Sequence, residues 1–122
     1  MIIVVEGSQA TQKAHLILAH TLASGVLRPG PTESDKLLAI DEVEQQLALG
    51  QVVIVPHWFR GASKAVADTI NARLLDLSEF VIFVEAGDGA YKNLPALYRF
   101  NLDCNSTESE LNETLNAIRD LT

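Results

Sequence analysis

Three short, almost wholly aliphatic runs set the terms for this chain: "IIVVE" at residues 2 to 6, "VVIV" at 52 to 55 and "FVIFV" at 80 to 84. A half-exposed strand alternates apolar and polar residues, whereas an unbroken β-branched run suits a strand covered on both faces. Between these runs the apolar spacing switches to a helical period. Lys13 to Ala23 reads as a helix, apolar at Leu16, Ile17, Leu18, Leu22 and Ala23, with Gly25 available to stop it. Residues 27 to 35, "LRPGPTESD", read as a loop. Ser34 or Asp35 can cap a second helix carrying Leu37, Ile40, Val43 and Leu47, which Gly50 ends.

The second strand is expected to stop at Pro56, and a third helix to run from Ser63 to Leu75 with Val66, Ile70 and Leu74 on one side. Residues 85 to 95 read as a loop with room for one helical turn. Tyr98 to Asp103 alternates and reads as an edge strand. Thr107 and Glu110 form a capping box before Leu111, Leu115 and Ile118. The order βα-α-β-α-β-β-α implies an α/β fold, a three-layer α/β/α sandwich on a mainly parallel four-stranded sheet with right-handed crossovers. Ligands in such folds sit at the carboxyl ends of the strands, here residues 6 to 14, 56 to 64, 85 to 92 and 103 to 106.

Length and composition narrow the class. At 122 residues, 48% hydrophobic and 20% charged, the chain is expected to be a single domain over 1–122 with a real core. A net charge of −7 repels nucleic-acid phosphates and anionic membranes, so neither is an expected partner. No apolar run reaches the ~18 residues of a membrane span, and the N-terminus does not read as a signal peptide. A lone cysteine, Cys104, excludes an internal disulfide, and together these features point to a cytoplasmic protein.

The segment from Gly7 to Ala14, G-S-Q-A-T-Q-K-A, joins the first strand to the first helix. Phosphate loops in that position have the form G-x-x-x-x-G-K-[ST], with backbone amides aimed at phosphate, a lysine on the terminal phosphates and a hydroxyl on magnesium. Here Gly7 and Lys13 stand at the first-glycine and lysine positions. Gln12 replaces the second glycine, and Ala14 replaces the magnesium ligand. The segment "IIVVEGSQATQKAHLILAHTLA" resembles the thymidylate-kinase branch of the P-loop nucleotide kinases, whose loops read E-G-x-D-G-x-G-K-[ST]-T. Further on, "IDEVEQQLALGQVVIVPHWFRGASKAVAD" is similar to that family's helix, glycine, strand and D-R-[YFHW] segment. "LSEFVIFVEA" and "LYRFNLDCNSTESELNETLNAIRDL" are similar to its later strands and closing helix.

The resemblance implies a P-loop kinase-like fold and a nucleotide or phosphate site at Gly7, Ser8, Gln9, Ala10, Thr11, Gln12, Lys13 and Ala14. A substrate-pocket rim is implied at His57, Trp58, Phe59 and Arg60. The departures are as informative. Pro56 and His57 stand where the family has Asp and Arg, Gln9 replaces the loop acid, and residues 85 to 97 leave no space for an arginine-bearing lid. Phosphoryl transfer depends on positioning and charge neutralisation, and losing one arginine finger can cost ~10³–10⁵ in rate. The expectation is therefore a catalytically degenerate nucleotide-kinase-like protein that acts by binding a protein partner, another copy of itself, or a nucleotide or phosphate. The exposed face of helix 36–49 and the Trp58 rim are its candidate contacts. The alternative is a minimal ATP-dependent thymidylate-like kinase or ATPase using Lys13, with cations supplied by an oligomer partner. No cofactor is a firm expectation; ATP or another nucleotide is the candidate, with weak dependence on magnesium expected of a binding-only protein.

Other constellations carry less. His15 and His20, five apart on a helix, are separated by roughly 140° and cannot share a metal. His57 with Ser63 lacks a nucleophile pattern, and Cys104 has no evident basic partner. Glu85, Asp88 and Asp103 read as solvated loop acids, and Arg60, Lys64 and Lys92 as cations able to reach the strand ends.

Overall fold

A computed structural model describes residues 1–102 and 107–122. Five parallel strands form one sheet in the order β2-β3-β1-β4-β5: β1 (Ile2–Glu6), β2 (Gly25–Val26), β3 (Val53–Pro56), β4 (Val81–Glu85) and β5 (Tyr98–Asn101). Four α-helices accompany them among the described residues, α1 (Ala10–His20), α2 (Glu33–Ala48), α3 (Lys64–Asp76) and α4 (Glu108–Leu121), with a single 3-10 turn at Ser78–Phe80 leading into β4. The α/β sandwich follows from strand alternation. Ile2, Val4, Val53, Val55, Val81 and Phe83 point to one side, where Ile40, Val43, Ile70 and Leu74 of α2 and α3 cover them. Ile3, Val5, Ile54, Ile82 and Val84 point to the other, under Ala14 and Ile17 of α1 and Leu115 and Ile118 of α4. Every residue of β1 is buried, as its composition demands.

The sheet has five strands where the sequence predicts four. The extra one, β2, is two residues long at the sheet edge, too short to leave a periodic signal, and Gly25 lies within it instead of ending a helix. Helix α1 begins three residues before the predicted start, because the Ala10 amide bonds directly to the Gly7 carbonyl. It ends at Thr21, whose extended backbone breaks the helix while its hydroxyl donates to the Ile17 carbonyl at 2.9 Å. Leu22, expected on the apolar face, lies beyond that end and is exposed.

Thr32, not Ser34 or Asp35, caps α2. Its hydroxyl accepts the Asp35 amide at 3.0 Å, and the Asp35 carboxylate accepts the Thr32 amide in return. The inward stripe of α2 runs through Lys36, Ile40 and Val43, leaving Leu37 at the surface. Ser63 and Thr107 cap α3 and α4 with their hydroxyls.

Pro56 is the last residue of β3, so the strand ends there with the proline inside it. The amides of Val53 and His57 bond across to β1, so by alternation position 56 faces β2. That strand has already ended at Val26, so the missing N–H of proline breaks no ladder bond. The connection from β4 to β5 crosses in roughly a dozen residues, near the minimum for parallel neighbours, and contains no helical turn. Leu94 pins it to the α2–α3 side of the sheet, and the Arg99 guanidinium ties it down by donating to the carbonyls of Lys92 and Leu94. The expected strand end at Asp103, and Cys104, lie outside the described residues.

Candidate functional site

The carboxyl ends of β1, β3 and β4 open onto a cleft of about 470 Å3, where ligands bind in parallel α/β sheets. Glu6, Gly7 and Ser8 come from the end of β1; His57, Phe59, Arg60 and Gly61 follow β3; Asp88, Gly89, Ala90 and Tyr91 follow β4. Glu6 is 2% exposed, and a carboxylate so deeply buried requires partners. It has two. The Trp58 amide donates to Oε2 at 2.8 Å and the Phe59 amide to Oε1 at 3.2 Å, so the carboxylate clasps the turn after β3. Both amides converge because His57 adopts the left-handed backbone region, φ 55°, where a non-glycine residue is strained. Burial raises the Glu6 pKa to about 7, against the opposing pull of those amides and of the Lys36 charge. His57 is shifted the other way: burial, and then the charges of Arg60 and Lys36, hold its imidazole below the usual histidine value.

Of the four expected rim residues, His57, Phe59 and Arg60 do line the cleft. Trp58 does not. It is completely buried in the α2–α3 core, with its indole N–H donating to the Lys36 carbonyl at 3.0 Å, so it offers no surface to a base or a partner. Phe59 stacks parallel on Tyr91 with ring centroids 4.4 Å apart, and the Tyr91 hydroxyl accepts from Asn71 of α3 at 2.9 Å. That aromatic pair forms a fixed wall.

The segment from Gly7 to Ala14 is more compact than a phosphate loop. The Ser8 amide donates to the Asp88 carbonyl and the Gln9 amide to the Ala86 carbonyl, both at 2.8 Å. These amides face the β4 loop and are already engaged. Gly7, with φ 124°, allows the approach: a Cβ there would lie 2.4 Å from the Ala86 oxygen. Ala10 to Ala14 are helical, so Lys13 sits within the first turns of α1, and Ala10 and Ala14 face the core. Gly7 and Ser8 line the cleft; Gln9 to Ala14 are not among its walls.

The remaining expected cations have local roles. Lys64 pairs with Asp68 at 2.7 Å along α3, and Lys92 with Glu85 at 3.0 Å. Arg60 is exposed at the mouth of the cleft. His15 meets Arg28, and His20 meets the Leu16 carbonyl at 2.9 Å. No group of three His, Cys, Asp or Glu side chains able to share a metal occurs among the described residues, nor does a helix there long and apolar enough to cross a membrane.

Sequence reasoning placed Glu6, Asp88 and Tyr91 among the ligand-bearing strand ends without giving them a role in the cleft, and it missed Lys36. Two of them carried a signal. An acid ending a strand buried on both faces must itself be buried, and Lys36 shares the i, i+4, i+7 stripe of Ile40 and Val43. Comparison of the chain with protein-family models, curated proteins and solved structures finds no match.

Proposed function

We propose that this chain is a nucleotide-kinase-like domain of the thymidylate-kinase type that binds a small ligand in the cleft at its strand ends and does not transfer a phosphoryl group. The observation that carries this reading is the state of the loop after β1. The amides of Ser8 and Gln9, which a phosphate loop would turn toward its anion, donate instead to the carbonyls of Asp88 and Ala86. Ala14, next to Lys13, has no hydroxyl for magnesium, and Lys64 and Lys92 are drawn to Asp68 and Glu85. Phosphoryl transfer needs converging donors and cations at one point, and this arrangement disperses them. A cleft with fixed aromatic and acidic walls and Arg60 at its mouth is suited to holding a ligand.

The test is turnover of the whole chain with Mg-ATP, alone and with dTMP, read as ADP release beside thermal-shift titrations of the same nucleotides. The expected result is a ligand-induced shift without ADP release. Magnesium-dependent ADP release abolished by Lys13→Ala would replace this reading with the minimal thymidylate-like kinase.

A further inference from the structure

The turn after β3 rests on the Glu6 carboxylate, which takes the Trp58 amide on Oε2 at 2.8 Å and the Phe59 amide on Oε1 at 3.2 Å. All three residues are buried, so bulk water cannot readily replace either bond. Two points of unusual backbone bracket the segment. His57 at φ 55° and Gly61 at φ 72° both lie in the left-handed region, with Trp58, Phe59 and Arg60 between them. The near end is anchored twice. The His57 amide donates to the Val5 carbonyl at 3.0 Å, and the buried Trp58 indole donates to the Lys36 carbonyl at 3.0 Å. Phe59 is held by the longer of the two Glu6 bonds, and it lines the cleft together with Arg60 and Gly61. The part of the turn that faces a ligand is therefore the part that Glu6 grips less tightly.

We infer that Glu6 is a proton-operated latch on the cleft: ionised, it holds Phe59 and Arg60 in the ligand-binding wall, and protonated, it releases the Phe59 amide so that the wall loosens between His57 and Gly61. The latch regulates the cleft of the proposed function and rests on that reading for its purpose. An ionised carboxylate only accepts hydrogen bonds, and here each oxygen serves one amide. Protonation turns one oxygen into an O–H donor facing an N–H donor, and that amide loses its partner. The proton settles on the oxygen with the longer bond, Oε1, so Phe59 is the residue released. His57 then loses part of the clasp that holds its strained angle. The charged and titratable groups around Glu6 are Lys36 of α2, His57 and Arg60 of the turn after β3, and Asp88 and Tyr91 of the β4 loop. Glu85 stands level with Glu6 on β4 and is paired with Lys92. Burial favours the protonated form and outweighs the two amides and the Lys36 charge, which sets the latch near neutrality, at about 7. His57, held below the usual histidine value by burial and then by the charges of Arg60 and Lys36, stays neutral as Glu6 begins to take up its proton.

A pH titration of the ligand-free full chain from 5.5 to 8.5 tests this, read by backbone amide shifts and hydrogen exchange. The Phe59 and Arg60 amides should move together with one midpoint near 7. After correction for intrinsic exchange, protection of the Phe59 amide should fall ~10-fold or more on the acid side, the scale of one hydrogen bond to a charged group. Emission from Trp58, the chain's one tryptophan, should stay constant, which separates a loosened turn from an unfolding core. Glu6→Gln should hold Phe59 in the released position at every pH, because one of its two positions is an N–H donor. Lys36→Met should raise the midpoint by removing the cation that favours the ionised form. His57→Asn keeps a residue type that tolerates positive φ and removes the imidazole, and the transition should survive it. A stationary Phe59 amide, a transition unchanged by Glu6→Gln, or one abolished by His57→Asn overturns the latch. Should Glu6→Gln not fold, the native chain and His57→Asn decide. Lys13-dependent ADP release would defeat the proposed function without moving these amides, and a stationary Phe59 would leave nucleotide thermal shifts intact, so the two failures are separable.

Discussion

Replacing Glu6 with glutamine should remove a specific pH dependence from the stability of this domain. In the unfolded chain Glu6 titrates near 4.5, and in the folded chain burial raises it to about 7. Between those values the folded state holds a proton that the unfolded state has released. Stability therefore falls as pH rises from about 4.5, and levels off above about 7. At 1.36 kcal/mol for each pH unit, the whole interval is worth roughly 3 kcal/mol. The Glu6 contribution is fully present below the unfolded value and lost as pH passes through the folded one. Urea denaturation of the native chain and Glu6→Gln at intervals from pH 4.5 to 8 isolates it, because other carboxylates cancel in the difference. The native chain should lose roughly 3 kcal/mol relative to the variant across that range. Parallel curves would mean that the two amides, and not burial, govern this carboxyl, and the reasoning would fall.

Two further substitutions test the frame around the site. Gly7→Ala should cost ~3 kcal/mol or more, because its backbone angle excludes side chains and its Cβ would strike the Ala86 oxygen; an unchanged urea midpoint would refute the packing of the β1–α1 turn on the β4 loop. Trp58→Phe should cost ~1–3 kcal/mol through the lost indole hydrogen bond and the space left in the core, and a neutral result would return Trp58 to the surface.

The parallel sheet was legible because burial on both faces leaves an unmistakable trace in "IIVV", "VVIV" and "VIFV". What periodicity could not supply was anything decided by a single contact. A two-residue strand at Gly25–Val26 has no period, and the start of α1 depends on whether the amides after Gly7 turn inward or toward the β4 loop. The aromatic pair at 58 and 59 could be placed at a strand end, but the Glu6 clasp holds both rings in the α2–α3 core, and only Phe59 also reaches the cleft wall. Leu37 outranked Lys36 as a core residue on hydrophobicity alone. The register of α2, set by the Thr32 cap, inverted them. The burial of Glu6 was visible in its place at the end of a covered strand, but its partners were not, because they lie more than fifty residues away.

The most direct measurement is the set of backbone amide resonances of Ser8, Gln9, Arg60 and Gly61 during titration with Mg-ATP and with inorganic phosphate. If the Ser8 and Gln9 amides are committed to the Asp88 and Ala86 carbonyls, the Gln9 amide, which lies outside the cleft, stays in place while the cleft residues Arg60 and Gly61 move with the bound ligand. Large shifts at Ser8 and Gln9 on adding Mg-ATP, with Arg60 and Gly61 undisturbed, would show an open phosphate loop and contradict the account.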